Sequence, residues 1–487
     1  MSELSFYSLL PILVLVVGGI AVLTIDLFLK SVSRGLYVGI TMATLIFSLV
    51  SLFVSGFGDS SFHEMLLIDG LAKTAQWIVI GASLLFIPLA LTGVRFLEYQ
   101  FAEFYALFLL MVAGFAFMVS SDNLIVIMLG LESASLALYS LISMHRRDKS
   151  LEAAIKYFTM GALAAGLFAF GIMLLYAATG SLNLKEIEIA VIAKEGVKLP
   201  LIFAASAFIL AGIGFKLSVV PFHTWTPDVY EGSSAPMAGY MSIVPKIAGF
   251  AVALRIFDFL ANSEDQIVYW LLFLAAATTM TVGNLLALVQ DGVKRMLAYS
   301  SVSHAGFVMA ALVIATPEAH VGLFLYWTLF LFTNLGAFSM LWLTRHSSKV
   351  WDIRYDHPYT KFAGMVKINP MGAVIMAIFM LSLAGIPPFA LFFGKIYLIG
   401  EALRTEHIWL ALIMVINSAI AVYYYLKLIV YMFLRDPAEN DGTVYYENGT
   451  LALKLVLGVA AVMVTFSSLW VGELIDSLEP LLASAGF

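Results

Sequence analysis

The chain has 487 residues, of which 62% are hydrophobic and 12% charged, with a mean hydropathy of +0.97. These values exclude a soluble globular protein. Cysteine is absent, which excludes disulfides, thiolate metal sites and cysteine-ligated iron–sulfur clusters within this chain, and the net charge of −6 forms no basic stripe, so nucleic acid is not an expected partner.

Apolar runs of roughly 20 residues recur from end to end, each able to cross about 30 Å of hydrocarbon as a helix. A closed barrel would show segments of about 10 alternating residues instead, so the predicted class is an all-α integral membrane protein. The length criterion predicts about fourteen spans. They cover residues 8–29, 35–55, 72–94, 102–119, 123–144, 155–178, 200–220, 237–260, 267–289, 296–315, 320–344, 370–399, 408–434 and 451–472. The first run, LLPILVLVVGGIAVLTIDLFL, is too long for a signal-peptide core and lacks a basic segment before it, so it reads as a retained span. Connections are short, the longest being 179–199, 345–369 and 435–450, and residues 1–487 therefore read as one membrane domain.

Orientation follows from the loops. The side holding Lys30, Arg34, Arg95, HRRDK (145–149), Lys294, Arg295 and residues 345–362 carries roughly twice the Lys and Arg of the other, which makes it cytoplasmic and puts both termini outside. Lys185, Lys194 and Lys198 in the 179–199 connection weaken that asymmetry.

LAGIGFKLSVVPFHTW (210–225) in the seventh span and LAGIPPFALFFGKIYL (383–398) in the twelfth share LAGI, a Gly or Pro interruption and a following lysine. The two spans are an odd number apart, so the copies run in opposite directions. Paired, interrupted spans in inverted halves point to the working site of a transporter, although two Gly/Pro-rich membrane spans can also match by coincidence.

A charge at the bilayer centre costs about 2.5–3.5 kcal/mol on insertion scales, so central ionisable residues call for a role. Glu132 lies mid-span in IVIMLGLESASLALYSLI; Lys216 precedes Pro221; Lys246 follows Pro245; His304 is mid-span in LAYSSVSHAGFVMAAL; Lys395 follows the double-proline break. In a low-dielectric interior a small change in pairing moves a proton, so the series reads as a proton relay with Glu132 and Lys216 as a switchable pair. A static interhelical ion pair would explain those two as well, and a neutral histidine bonded to a neighbouring helix would explain His304. Lys156, near the start of the sixth span, is open to snorkelling, and Lys427 reads as an interfacial anchor. His223, Asp228 and Glu231, in PFHTWTPDVYEG, read equally as a proton gate or a capped loop. Asp26 is one turn from Lys30, so an interfacial pair is expected, and Asp69, Lys73, Arg255 and Asp258 sit near span ends, where solvation is the default.

FKLSVVPFHTWTPDVYEGSSAP (215–236), LGLES around Glu132, KRMLAYSSVSHAG (294–306) and SLAGIPPFALFFGKIYL (382–398) together resemble the antiporter-like membrane subunits of respiratory complex I, the proton-pumping NADH:quinone oxidoreductase. The likeness spans essentially the whole chain. A chain ending soon after its fourteenth span, with Lys395 rather than a glutamate at the twelfth-span position, fits one branch of that group. The resemblance implies about fourteen helices with two inverted five-helix repeats, residues 102–260 and 267–434, and a broken helix in each. It also implies a charged axis in which Glu132 and Lys216 are the paired input, Lys246 the central relay, His304 a link between halves and Lys395 the terminal residue, with Lys156 modulating Glu132. No G-x-G-x-x-G turn in a soluble βαβ unit is present. FMN, iron–sulfur clusters and quinone are therefore expected in partner subunits, none in this chain. The implied partners are the other complex I membrane subunits, the peripheral arm, the lipid bilayer and protons, in a prokaryotic plasma (inner) membrane. A cation/proton antiporter or membrane-bound hydrogenase subunit would share the same ion-path logic.

Overall fold

The computed structural model describes residues 6–29, 32–54, 60–61, 65–92, 97–193, 199–261, 266–346, 357–436, 443–445 and 449–487. The apolar runs become helices because each satisfies its backbone polar groups internally, which a lipid environment demands. The N-terminal helices are α1 (Phe6–Phe28), α2 (Arg34–Val54) and α3 (Gly70–Phe86), the last extended by a 3-10 turn, Ile87–Leu91. Then come α4 (Ala102–Val119), α5 (Leu124–Ser143), α6 (Asp148–Thr179), α7 (Leu184–Ala193), α8 (Leu199–Leu217), α9 (Trp225–Gly232), α10 (Ala235–Met241) and α11 (Val244–Ala261). The second half comprises α12 (Ile267–Leu288), α13 (Val293–Ile314), α14 (Pro317–Met340), α15 (Met365–Ile368), α16 (Pro370–Ala384), α17 (Ala390–Arg404) and α18 (Ile408–Leu434). Helices α19 (Leu451–Thr465) and α20 (Val471–Ala483) complete the chain.

Twelve helical segments among the described residues are long and apolar enough to cross a membrane, and α16 and α19 are shorter apolar helices at the two remaining predicted spans. The chain is a multi-pass membrane protein. All three long predicted connections hold structure of their own: α7 lies within 179–199, and Thr344–His346 pairs antiparallel with Thr443–Tyr445 between the other two. Helix α20 has no counterpart among the predicted spans; it packs against α3 and α14.

The α4–α5 and α12–α13 pairs are built alike. A Cβ on Gly114 would lie 2.7 Å from the Ala134 nitrogen, and one on Gly283 would lie 2.6 Å from the Ser303 nitrogen, so only glycine permits either approach. Ala134 and Ser303 are each the eleventh residue of their helix. Each of these helices also starts beside an isolated antiparallel bridge, Asn123 with Asn183 and Gly292 with Pro358.

The breaks differ in register. LAGI (210–213) lies inside α8, which runs on to Leu217, whereas in the second copy the helix stops at Ala384 and Gly385 adopts φ 80°. Lys216 therefore ends the helix before its break, and Lys395 lies in the helix after its break. A third interruption, at Ser242 and Ile243, separates α10 from α11 inside the predicted eighth span.

The expectation of solvated span-end charges is corrected for Asp69 and Arg255. Asp69 and Arg255 are not solvated: they are 5% and 7% exposed and form a two-pronged ion pair at 2.7 and 2.6 Å, because α3 packs on α11 and closes over both. Asp258 Oδ1 sits 3.2 Å from Nε2 of the buried His320. Asp26 accepts a hydrogen bond from Tyr37, while its expected partner Lys30 lies outside the described residues.

Candidate proton-relay site

Lys216 occupies the last turn of α8, where unsatisfied helix carbonyls favour a cation. The chain then leaves the helix through Ser218, at φ 64°, and the loose ends are tied by side chains. The Trp225 indole donates to the Phe215 carbonyl at 2.8 Å, Thr226 to Ser218 Oγ at 2.8 Å, and the Val220 amide to Thr279 Oγ1 on α12 at 3.0 Å. The break is thus tied to the surrounding helices by side-chain hydrogen bonds.

The Lys216 ammonium, 1% exposed, donates to Ser135 Oγ at 2.6 Å and to the Tyr157 hydroxyl at 3.3 Å, and lies 5.2 Å from the centroid of the Tyr157 ring. The expected switchable pairing with Glu132 is not a contact ion pair, since no nitrogen–oxygen approach within 4.0 Å joins the two, but their charges act on each other electrostatically. Both line one small cavity with Ser135, Tyr139 and Gly212. Ser135 lies one turn beyond Glu132 on the same face of α5, so it takes the ammonium's hydrogen bond beside the carboxylate.

Lys246 is fully buried in the first turn of α11, and its ammonium donates to the Ser301 carbonyl and to Ser301 Oγ, both at 2.6 Å. Its partners are neutral, and a helix N-terminus disfavours a cation, so this is the most costly of the three ammonium positions. Lys395, 6% exposed, donates to the Leu383 and Ala384 carbonyls at 3.2 and 3.0 Å, the open end of α16. Gly385 permits this: a Cβ there would lie 2.7 Å from Lys395 Cδ. Across the break, Ser382 Oγ accepts from the Leu391 amide at 3.2 Å and meets Thr333 Oγ1 of α14 at 3.1 Å.

His304, 4% exposed on α13, is bonded at both ring nitrogens: Nδ1 meets the Tyr326 hydroxyl at 2.6 Å and Nε2 the Tyr425 hydroxyl at 2.9 Å. The Lys246 and Lys395 charges both act electrostatically on it.

The remaining predicted residues lie elsewhere. Lys156, with its side chain 42% exposed, pairs with Glu152 at 2.7 Å and Asp228 at 3.0 Å rather than with Glu132. Asp228 also takes Arg295 at 2.8 Å, and Arg295 reaches Glu231 at 2.7 Å, so α6, α9 and α13 meet at the basic face, where α6 and α9 line a cavity of about 130 Å³. Asp228 lies outside the Pro200–Leu217 and Ala235–Asp258 spans. Burial alone would raise its carboxyl, but hydrogen bonds from Lys156 and Arg295 hold it below the usual carboxylate range. His223 is 8% exposed; its carbonyl caps Thr226 at 3.0 Å, while Nδ1 has no hydrogen-bond partner among the described residues. Lys427 lies 4.3 Å over the Tyr359 ring and donates to the Gln290 carbonyl at 3.4 Å, as an anchor would.

The hydroxyl partners Ser135, Tyr157, Ser301, Tyr326 and Tyr425 escape sequence reasoning. Only Ser135 carried a signal, its spacing from Glu132 on one helix face. Among the described residues no group of three or more His, Asp or Glu could hold a metal ion.

A family model described as NADH:quinone oxidoreductase/Mrp antiporter, TM, matches residues 121–421. NADH-quinone oxidoreductase subunit N of Sulfurimonas denitrificans is 54% identical over 492 residues, covering 100% of this chain and 98% of that protein. The protein of the same name from Helicobacter hepaticus is 45% identical, covering 98% and 97%. Among solved structures, a chain of respiratory complex I from Thermus thermophilus with bound aureothin matches with a TM-score of 0.81 and 31% identity over 96% of this chain and 99% of that one. A chain of the Mrp complex from Dietzia sp. matches with a TM-score of 0.80 and 19% identity, over 98% and 97%, a likeness of fold alone. The chain belongs to the NADH-quinone oxidoreductase subunit N family, within the wider NADH:quinone oxidoreductase/Mrp antiporter group.

Proposed function

We propose that this chain is a proton-translocating membrane subunit of a complex I-type NADH:quinone oxidoreductase and that Glu132, Lys216, Lys246, His304 and Lys395 are its relay. The observation that carries the reading is the set of buried ammonium groups at Lys216, Lys246 and Lys395, each held only by hydroxyls, carbonyls or both. A scaffold has no need of charges that costly. In a low-dielectric interior one protonation change shifts the balance at the next group, so charge propagates electrostatically without an electron carrier. Glu132 and Lys216 act through their shared cavity, with Ser135 holding the ammonium in place; Lys246 passes the change to α13, and Lys395 ends the line beside the open carbonyls of α16. Lys156 acts at the basic face through Asp228, and His223 stands in the break beyond Lys216.

Residues 102–260 and 267–434 form the two inverted repeats. The matched glycine approaches and paired bridges support that division. FMN, iron–sulfur clusters and the quinone site belong to partner subunits of the peripheral arm and its neighbours. The complex sits in a prokaryotic plasma membrane with the Lys149, Lys294 and Arg295 face inward and both termini outward.

The test is copurification. A tagged chain taken from native membranes should bring with it flavin- and iron–sulfur-bearing subunits, identified by mass; recovery of antiporter or hydrogenase subunits alone would overturn the assignment.

A further inference from the structure

The relay leaves two gaps, from the Lys246 station to His304 and from His304 to the Lys395 station. A buried tyrosine stands in each. The Tyr326 hydroxyl lies 2.6 Å from His304 Nδ1, the Tyr425 hydroxyl lies 2.9 Å from Nε2, and Tyr425 continues to Ser300 Oγ. Ser300 is the neighbour of Ser301, which holds the Lys246 ammonium. At the other end, a Cβ on Gly394 would lie 2.9 Å from Tyr326 Cδ2, so the Tyr326 ring rests against the backbone beside Lys395. Tyr326 and Tyr425 are fully buried, and the imidazole is packed on Phe330 with ring centroids 4.9 Å apart.

We propose that Tyr326 and Tyr425 are proton-conducting residues, forming with His304 and Ser300 a hydrogen-bonded string that joins the two halves of the relay. The inference rests on the relay reading above and adds its connecting groups. A neutral imidazole has one N–H and one bare nitrogen, so one tyrosine donates to the ring while the other accepts from it. A proton reaching the Tyr326 oxygen displaces that residue's own hydroxyl proton onto Nδ1. The ring then gives its Nε2 proton to the Tyr425 oxygen, the original Tyr425 proton moves to Ser300 Oγ, and Ser300 releases its own hydroxyl proton toward the Lys246 side. One proton enters and one leaves; every group is neutral afterwards, with the ring in its other tautomer and the hydroxyls reversed. The heavy-atom separations at both ring nitrogens fall within proton-transfer range. Transport in the opposite direction uses the same contacts.

The test uses the assembled complex in sealed vesicles, with proton uptake driven by NADH oxidation. Tyr326→Phe and Tyr425→Phe each remove one hydroxyl while keeping the ring, and each is expected to slow coupled proton uptake about tenfold or more. Tyr240→Phe, which deletes a buried hydroxyl bonded to Ser83 at 2.8 Å, is expected to leave it unchanged. Lys395→Met separates the two levels of the account. Normal uptake in both Phe variants with Lys395→Met impaired would overturn the string and leave the relay standing. Normal uptake in all three would overturn both. If Tyr425→Phe fails to assemble, 3-fluorotyrosine at position 425 keeps the hydroxyl and nearly the same shape. An altered solvent deuterium isotope effect on coupled turnover would then support the string, and an unchanged one would overturn it.

Discussion

Lys246→Met separates a relay lysine from a structural one, because the two roles change stability in opposite directions. Lys246 is fully buried and bonded only to Ser301. Methionine keeps most of the apolar stem and removes the ammonium, relieving about 2.5–3.5 kcal/mol on the insertion scale. The Ser301 carbonyl and hydroxyl each lose a donor, at a cost of about 1 kcal/mol apiece. The net is a gain of about 1 kcal/mol, so the variant should assemble and survive heating at least as well as the parent. Two assays are needed on the same membranes: the fraction of intact complex after graded heating, and proton uptake per NADH oxidised. The expected result is unchanged or improved survival with uptake largely lost. A variant that loses more than about 2 kcal/mol of stability yet pumps normally per assembled complex would refute the reasoning.

Other consequences can be measured independently. Asp69→Asn leaves Arg255 buried without its carboxylate and should cost about 3–5 kcal/mol in thermal survival; Asp69→Leu with Arg255→Met should recover most of it. A loss below about 1 kcal/mol in the single variant would show the pair to be idle. Ser135→Ala and Lys216→Met should be strongly non-additive in coupled proton uptake, since their contact is 2.6 Å; strict additivity would mean that the contact has no part in transport. Gly306→Ala puts a Cβ 2.5 Å from the Met280 nitrogen and should reduce assembly by about 1–3 kcal/mol, whereas Gly166→Ala, with nothing within 4 Å, should be silent. Equal assembly of the two glycine variants would contradict the close α12–α13 approach.

How much could be read from the sequence depends on which physical cost marks a residue. The spans were legible because crossing hydrocarbon needs long apolar runs, and even the two short helices, α16 and α19, fall where such runs were found. Glu132, Lys216, Lys246 and Lys395 were legible because a charge in such a run stands out by its cost. Their partners carry no such mark: nothing distinguishes Tyr157, Tyr326 and Tyr425 among 21 tyrosines until the helices pack. The missing Glu132–Lys216 contact has the same origin, since a hydroxyl at Ser135 competes for the ammonium and sequence does not show which partner prevails. Asp69 and Arg255 looked solvated because each is close to a helix end, yet the packing of α3 on α11 decides their burial. The shared LAGI string pointed to two interrupted spans but misaligned them, because Leu210 to Ile213 remain helical while Gly385 and Ile386 form the second break.

The central claim is that buried charge in this chain moves protons when NADH is oxidised elsewhere. The most direct measurement is the number of protons translocated per NADH oxidised by vesicles holding fully assembled complex with Glu132→Gln, beside the parent. A lower ratio at the same content of complex is expected. An unchanged ratio with full assembly would contradict the claim.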